Sequence, residues 1–237
     1  VAPGLFTAYF FCRAIDDMAD GDTAIPDDFD DFASLVQNLK QGTLTKNFEP
    51  HNDLMLLLRA TIHDTIEYGW TDPSDMLLQF IDAMKTEHER RTSRQVSTRN
   101  ELYSLYQDSF STPQDIAFIH LWSSCRSADL PELADLQGRL YAVRDLRDDL
   151  ARGIFFIPGE VIEQSGLDAD KLIDNPQLAD TNECVQAWRR SELVEGAKLI
   201  EQLGEKELDW KARLLVKFLT KWIGRYIQAQ DVERMNT

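Results

Sequence analysis

The chain has 237 residues, 43% of them hydrophobic, enough for an ample core. Acidic residues outnumber basic ones 41 to 25 and the formal charge is −16, which excludes a nucleic-acid partner because binding a phosphate backbone needs a basic face. Cys12, Cys125 and Cys184 lie far apart without a Cys-x-x-Cys, and His51, His63, His88 and His120 share no ligand spacing, so neither a disulfide framework nor a zinc site is indicated.

Apolar residues recur at helical spacing almost throughout and no alternating strand is evident, so the chain reads as all-α. A first helix is expected from Leu5 to Asp20, and Gly21 and Pro26 bracket the turn after it. Phe29, Phe32, Leu35, Val36 and Leu39 line the next helix, and 41–50 reads as a polar loop. Leu54 to Ile66 mark a third helix stopped by Gly69, and Asp72-Pro73-Ser74-Asp75 has the form of a cap launching a fourth, to about Arg91. After the polar stretch 90–99 a helix is expected over 100–108. The Thr112-Pro113-Gln114-Asp115 capping box predicts a new one, to about Ser124. Pro131 opens a long helix ending at Gly153, where glycine tolerates the left-handed cap and Pro158 forbids a quick restart. A short helix follows Pro158, Gly166 and Pro176 break the chain, and two long helices, about 182–203 and 205–232, close it. With no repeat or linker, this predicts a single domain over 1–237.

Asp-x-x-x-Asp spacing places two carboxylates on one helix face, where they repel by roughly 0.2–0.5 kcal/mol unless a cation intervenes. It occurs at 16/20, 27/31, 145/149 and 170/174. The 27/31 and 170/174 pairs lie beside prolines in polar surroundings and read as solvated surface. The 16/20 and 145/149 pairs differ, because each follows an arginine, Arg13 or Arg144, and each ends a strongly apolar helix. Carboxylates at the edge of an apolar core titrate upward unless compensated, and Mg²⁺ suits them as a hard ion sharing its shell among carboxylates, waters and phosphate oxygens. Two facing helices of this kind would hold a cluster of divalent ions.

These residues resemble the squalene/phytoene synthases, which make C30 or C40 isoprenoids by head-to-head coupling. Tyr9 to Asp20 matches the family's Tyr-x-Phe-Cys-Arg-x-x-Asp-Asp-x-x-Asp motif, and Arg144, Asp145, Asp149, Gly153 and Pro158 fall in register with its second motif. Phe80 to Met84, and Glu101-Leu102 with Tyr106, sit where the family has its middle helices. In detail the likeness leans toward the bacterial presqualene and hydroxysqualene synthases. The resemblance implies an isoprenoid-synthase-type helical bundle around a central cavity, with a further helix ahead of Val1. It implies that Asp16, Asp20, Asp145 and Asp149 bind Mg²⁺ (or Mn²⁺) with Asp17 in support, that Arg13 and Arg144 contact diphosphate, and that Tyr9 sits near the leaving group. Phe6, Phe10 and Tyr141 are candidate substrate contacts; for at least two of the helix-one aromatics Phe6, Tyr9, Phe10 and Phe11, ordinary core packing is the expectation.

The match has departures. The family's asparagine and glutamine of the second motif are Tyr141 and Gly138, the arginine and tyrosine after the glycine are Ile154 and Phe156, and a Val-Ala-Gly segment is replaced by 111–115. The leading reading is a prenyltransferase coupling two farnesyl or geranylgeranyl diphosphates. A terpene synthase acting on one diphosphate, and a non-enzymatic relative serving as a binding or assembly factor, are the alternatives. Arg90-Arg91 and Arg189-Arg190 read as solvated helix faces, not as a second-diphosphate motif. No Gly-x-Gly-x-x-Gly is present, which leaves NADPH use undetermined. No apolar run approaches the ~20 residues that cross a bilayer, and the start lacks a signal-peptide layout. Cysteine usage suggests the cytoplasm. Oily products allow contact with a membrane surface, and mitochondrion, plastid and oligomeric state are left open.

Overall fold

A computed structural model describes residues 3–235, and helices account for 75% of it with no strand among the described residues. The chain divides into two contact units, 1–93 with 108–127, and 94–107 with 128–237.

The first unit contains α1 (Pro3–Ala19), α2 (Phe32–Thr45), α3 (Asp53–Glu67), α4 (Ser74–Ser93) and, from Asp108 onward, the second half of α5 (Arg99–His120). Helix α1 packs on α3 and α4, and α2 on α3 and α4. Phe11, Ile15, Leu35, Leu39, Leu58 and Ile81 are fully buried between them. Asp31 caps α2 through a reciprocal box with Ser34, and Asn52 caps α3 by accepting from the Met55 amide. Helix α2 runs on to Thr45, five residues into the predicted loop, because Thr43 and Thr45 return their hydroxyls to carbonyls one turn back and Lys46 closes the helix in a left-handed conformation.

Helix α5 overturns the boundary expected at Thr112: 99–120 is one helix with Pro113 inside it. The Thr112 hydroxyl is buried and donates to the Met76 carbonyl at 2.6 Å, so it is spent on a tertiary contact and caps nothing. The box that starts α5 lies upstream, where Glu101 accepts from the Thr98 amide at 2.7 Å.

The second unit contains the first half of α5, then α6 (Pro131–Arg144), α7 (Leu146–Ala151), α8 (Gly159–Ser165), α9 (Ala169–Asp174), α10 (Leu178–Thr181), α11 (Glu183–Glu205) and α12 (Trp210–Met235). Helix α11 is its hub, packing on α6, α8, α10 and α12. Arg139 of α6 bonds Glu192 of α11 at 2.5 Å and Asp135 at 3.0 Å, and Arg99 and Tyr103 reach the other Glu192 oxygen. The single helix expected from Pro131 to Gly153 is interrupted at Asp145, which leaves α-helical geometry at φ −97°, ψ 6°. Helix α12 begins at Trp210 behind Asp209, which accepts from the Lys211 and Ala212 amides, and continues unbroken through Gly224.

Candidate active site

Both acidic motifs sit at helix ends closed in the same way. At α1, the Gly21 amide donates to Met18 and the Asp22 amide to Asp17, with Gly21 at φ +76°. At α7, the Gly153 amide donates to Leu150 and the Ile154 amide to Asp149, with Gly153 at φ +79°. This double closure requires a left-handed residue just past the helix, which glycine supplies without strain. At α1 it also turns the negative end of the helix dipole toward the carboxylates, the reverse of the favourable arrangement, whereas Asp145 is at once the C-cap of α6 and the N-cap of α7, with Asp149 in the first turn of α7.

In the first unit, Arg13 supplies one cation, bonding Asp16 at 2.8 Å and Asp17 at 2.5 Å. Helix α4 supplies more. Arg91 Nε donates to the Ala19 carbonyl at 2.9 Å, and its guanidinium fills the space beside Gly21. Arg90 is buried, and its charge acts on Glu87. The expectation that Arg90-Arg91 is a solvated face is therefore corrected: Arg90 is buried, and Arg91, one turn on from the stripe of Phe80, Met84 and Glu87, meets the helix end of α1. Arg189 likewise bonds Asp180 at 3.2 Å and is not simply solvated, whereas Arg190 is exposed.

Burial, followed by the charge of Asp20, pushes the Asp16 carboxyl up to about 7 against the opposing pull of Arg13. Glu87 of α4 accepts from the Ser109 hydroxyl at 2.9 Å. Burial and then Asp16 and Asp20 push its carboxyl up to about 8. Glu87 follows Phe80 and Met84 at helical spacing, a carboxylate occupying the next place on an apolar stripe. Burial also pushes the Cys12 thiol up to about 12, which leaves it a neutral packing residue.

Helix α1 is apolar on two faces. Ala8, Phe11, Ile15 and Ala19 face the core, while Phe6, Tyr9 and Phe10 are each more than half exposed. Core packing thus accounts for Phe11 alone of the four aromatics, fewer than expected, because the core-facing stripe is already filled by small and branched residues. The other face borders a cavity of about 430 Å³ lined by Leu5, Phe6, Tyr9, Phe10 and Cys12 of α1 and by Pro113, Ile116 and Ala117 of α5. Its lining is almost wholly apolar side chain, suited to a hydrocarbon.

In the second unit, Arg144 grips Asp145 with two bonds, Nε to Oδ1 at 2.6 Å and Nη2 to Oδ2 at 2.5 Å. The guanidinium lies 4.4 Å from the Tyr141 ring and 5.5 Å from the Trp222 ring of α12. Asp149 stays one turn below Asp145, its amide donating to the Asp145 carbonyl at 2.9 Å, so the i,i+4 relation survives the helix break. Helix α7 is tied down by Arg147, which pairs with Asp180, itself bonded to Arg189. The departures have structural partners here. A Cβ on Gly138 would stand 2.0 Å from the Tyr106 ring, so glycine makes room for that ring, and Phe156 faces Tyr106 at 6.3 Å while Ile154 is buried. Tyr141, where the family has asparagine, is the seat of Arg144.

The oxygen-only donors of both motifs fit a hard divalent cation whose remaining positions are taken by water and phosphate oxygens. Among the described residues, the trio of metal-type ligand atoms within 4.8 Å of one another is a different one, His63, Asp64 and Glu67 on α3. The 27/31 and 170/174 pairs lie on the surface as expected; Asp31 caps α2, and Asp170 makes only a 3.5 Å contact with Arg94.

An all-helical chain of this kind, with acidic helix ends and an apolar cavity, has the isoprenoid-synthase type of fold. More narrowly, it belongs to the squalene/phytoene synthase family, whose model matches residues 1–231. Among curated proteins there is no significant match. At the level of the family, the chain is a prenyltransferase of isoprenoid biosynthesis, of the group that couples prenyl diphosphates head to head with divalent metal at the diphosphate. No helix among the described residues is long and apolar enough to cross a membrane.

Proposed function

We propose that the protein is a Mg²⁺-dependent synthase that joins two farnesyl or geranylgeranyl diphosphates with loss of diphosphate, in the manner of squalene and phytoene synthases. Asp16 and Asp20 of the first motif, supported by Asp17, and Asp145 and Asp149 of the second serve as the Mg²⁺ ligands, and Arg13 and Arg144 contact diphosphate. When bound, the metal neutralises the departing diphosphate; Mn²⁺ would serve the same donors. Tyr9 stands beside the leaving group, and Phe6 and Phe10, at the rim of the apolar cavity, present aromatic faces to the allylic cation.

The observation that carries this reading is the pairing of a buried-edge carboxylate, Asp16, with a 430 Å³ apolar cavity reached from the same helix. Such a helix offers a diphosphate and a hydrocarbon chain adjacent places. The test is a product assay with farnesyl diphosphate, then geranylgeranyl diphosphate, and Mg²⁺, comparing the native protein with Asp145→Ala. Native protein should release diphosphate and form a C30 or C40 product. Loss of one ligand should cut the rate on the order of a thousandfold, several kcal/mol of transition-state stabilisation. A product built from one diphosphate would select a terpene synthase instead. No turnover of either substrate would reject both enzymatic readings.

A further inference from the structure

We propose that Arg13 and Arg144 are resident counter-ions of the metal-binding aspartates: they occupy those carboxylates while metal is absent and transfer to the diphosphate when it arrives. Metal and diphosphate then bind together, and neither binds well alone. The inference rests on the function proposed above and adds to it an order of events at each motif.

The geometry of the second motif carries it furthest. Both oxygens of Asp145 are engaged by one guanidinium, at 2.6 and 2.5 Å. A second cation on the same carboxylate would meet the repulsion of Arg144 at short range, moderated by solvent because both side chains are about a third exposed. The arginine is also seated, with the Tyr141 ring at 4.4 Å and the Trp222 ring at 5.5 Å, so its place against Asp145 is defined by aromatic faces as well as by charge. A bidentate fork matches phosphate as well as carboxylate, so moving to a diphosphate oxygen costs Arg144 little and leaves Asp145 with both oxygens available. The first motif repeats the arrangement in looser form. Arg13 spans Asp16 and Asp17 at 2.8 and 2.5 Å, but it is half exposed and divided between two carboxylates. An exposed pair of that kind holds weakly, so Arg144 should dominate the effect.

Binding experiments without turnover test this, using Mn²⁺ read by electron paramagnetic resonance and inorganic diphosphate as the anion. Native protein should bind Mn²⁺ weakly alone and at least tenfold more tightly with diphosphate present. Arg144→Gln should tighten Mn²⁺ binding alone by about tenfold while weakening diphosphate binding in the presence of Mn²⁺ by about as much. Opposite signs are the signature, since a merely structural lesion weakens both. Trp222→Leu keeps every charge and removes one ring of the seat. It should tighten Mn²⁺ binding by a smaller factor, and together with Arg13→Gln it decides the matter if Arg144→Gln melts abnormally. Mn²⁺ affinity that is unchanged or lower in folded variants overturns the counter-ion role while leaving the enzyme reading intact. Native protein that takes up no diphosphate even with Mn²⁺ overturns both.

Discussion

Deprotonating Asp16 costs the folded protein more than it costs the unfolded chain, because burial and Asp20 act against the charge only when the chain is folded. With the folded value pushed up to about 7 from 3.8, the native state holds a proton that the unfolded state has released. Stability contributed by this group is therefore present below about pH 4 and is lost as pH rises toward about 7. Glu87, pushed up to about 8, acts in the same direction over a window reaching further into the alkaline side. Asp16→Asn removes the penalty and leaves Arg13 paired with Asp17. In metal-free buffer the variant should melt at or near the parent's temperature at about pH 4 and above it at about pH 8. A variant that melts below the parent at the alkaline end would show that the Arg13 pair outweighs the burial of the charge.

Between helices, one buried polar tie is the clamp of Arg139 on Glu192, which joins α6 to α11. Only 3% of the Glu192 side chain and 10% of the Arg139 side chain is exposed, so removing Glu192 leaves the desolvated Arg139 with Asp135 as its remaining ion-pair partner. Glu192→Ala should cost about 2–3 kcal/mol, read as a lowered urea midpoint at unchanged slope. Replacing both residues with apolar ones of similar volume should recover most of that loss. If the single variant costs under about 1 kcal/mol, the clamp is better hydrated than the structure shows. The same helices position the second motif. The chain leaves α-helical geometry at Asp145, and α7 is anchored through Arg147 to Asp180 and thence to Arg189 of α11.

For the molecule as a whole, the formal charge of −16 means that any divalent salt relieves some general repulsion. A specific site is distinguished by requiring diphosphate. Mg²⁺ with a non-reactive prenyl diphosphate analogue at about a hundred times its Kd should add about 2.7 kcal/mol. For a chain of this size that corresponds to roughly 5 °C or more in Tm. Mg²⁺ alone, or Na⁺ at matched ionic strength, should add much less. Equal melting with and without the pair would favour the non-enzymatic relative that kept the fold.

Local chemistry was readable from the residues in order. Apolar spacing marked the helices, Gly153 was expected to close its helix and does, and Asp16, Asp20, Asp145 and Asp149 stood out because carboxylates one turn apart at the end of an apolar helix need compensation. What tertiary structure decided was where each polar group spends its bonds. Thr112 has the right neighbours for a cap, yet its hydroxyl goes to the Met76 carbonyl; Arg91 follows a polar run, yet it binds the Ala19 carbonyl; and of the four helix-one aromatics, at least two of them expected in the core, only Phe11 is buried there while Phe6, Tyr9 and Phe10 border a cavity. The sequence by itself determined the helical elements and the acidic motifs, since periodicity, capping and charge spacing act over a few residues. Tertiary structure alone decided which cations hold the carboxylates and which aromatics face outward, because those pairings join residues far apart in the chain and depend on which helix faces meet.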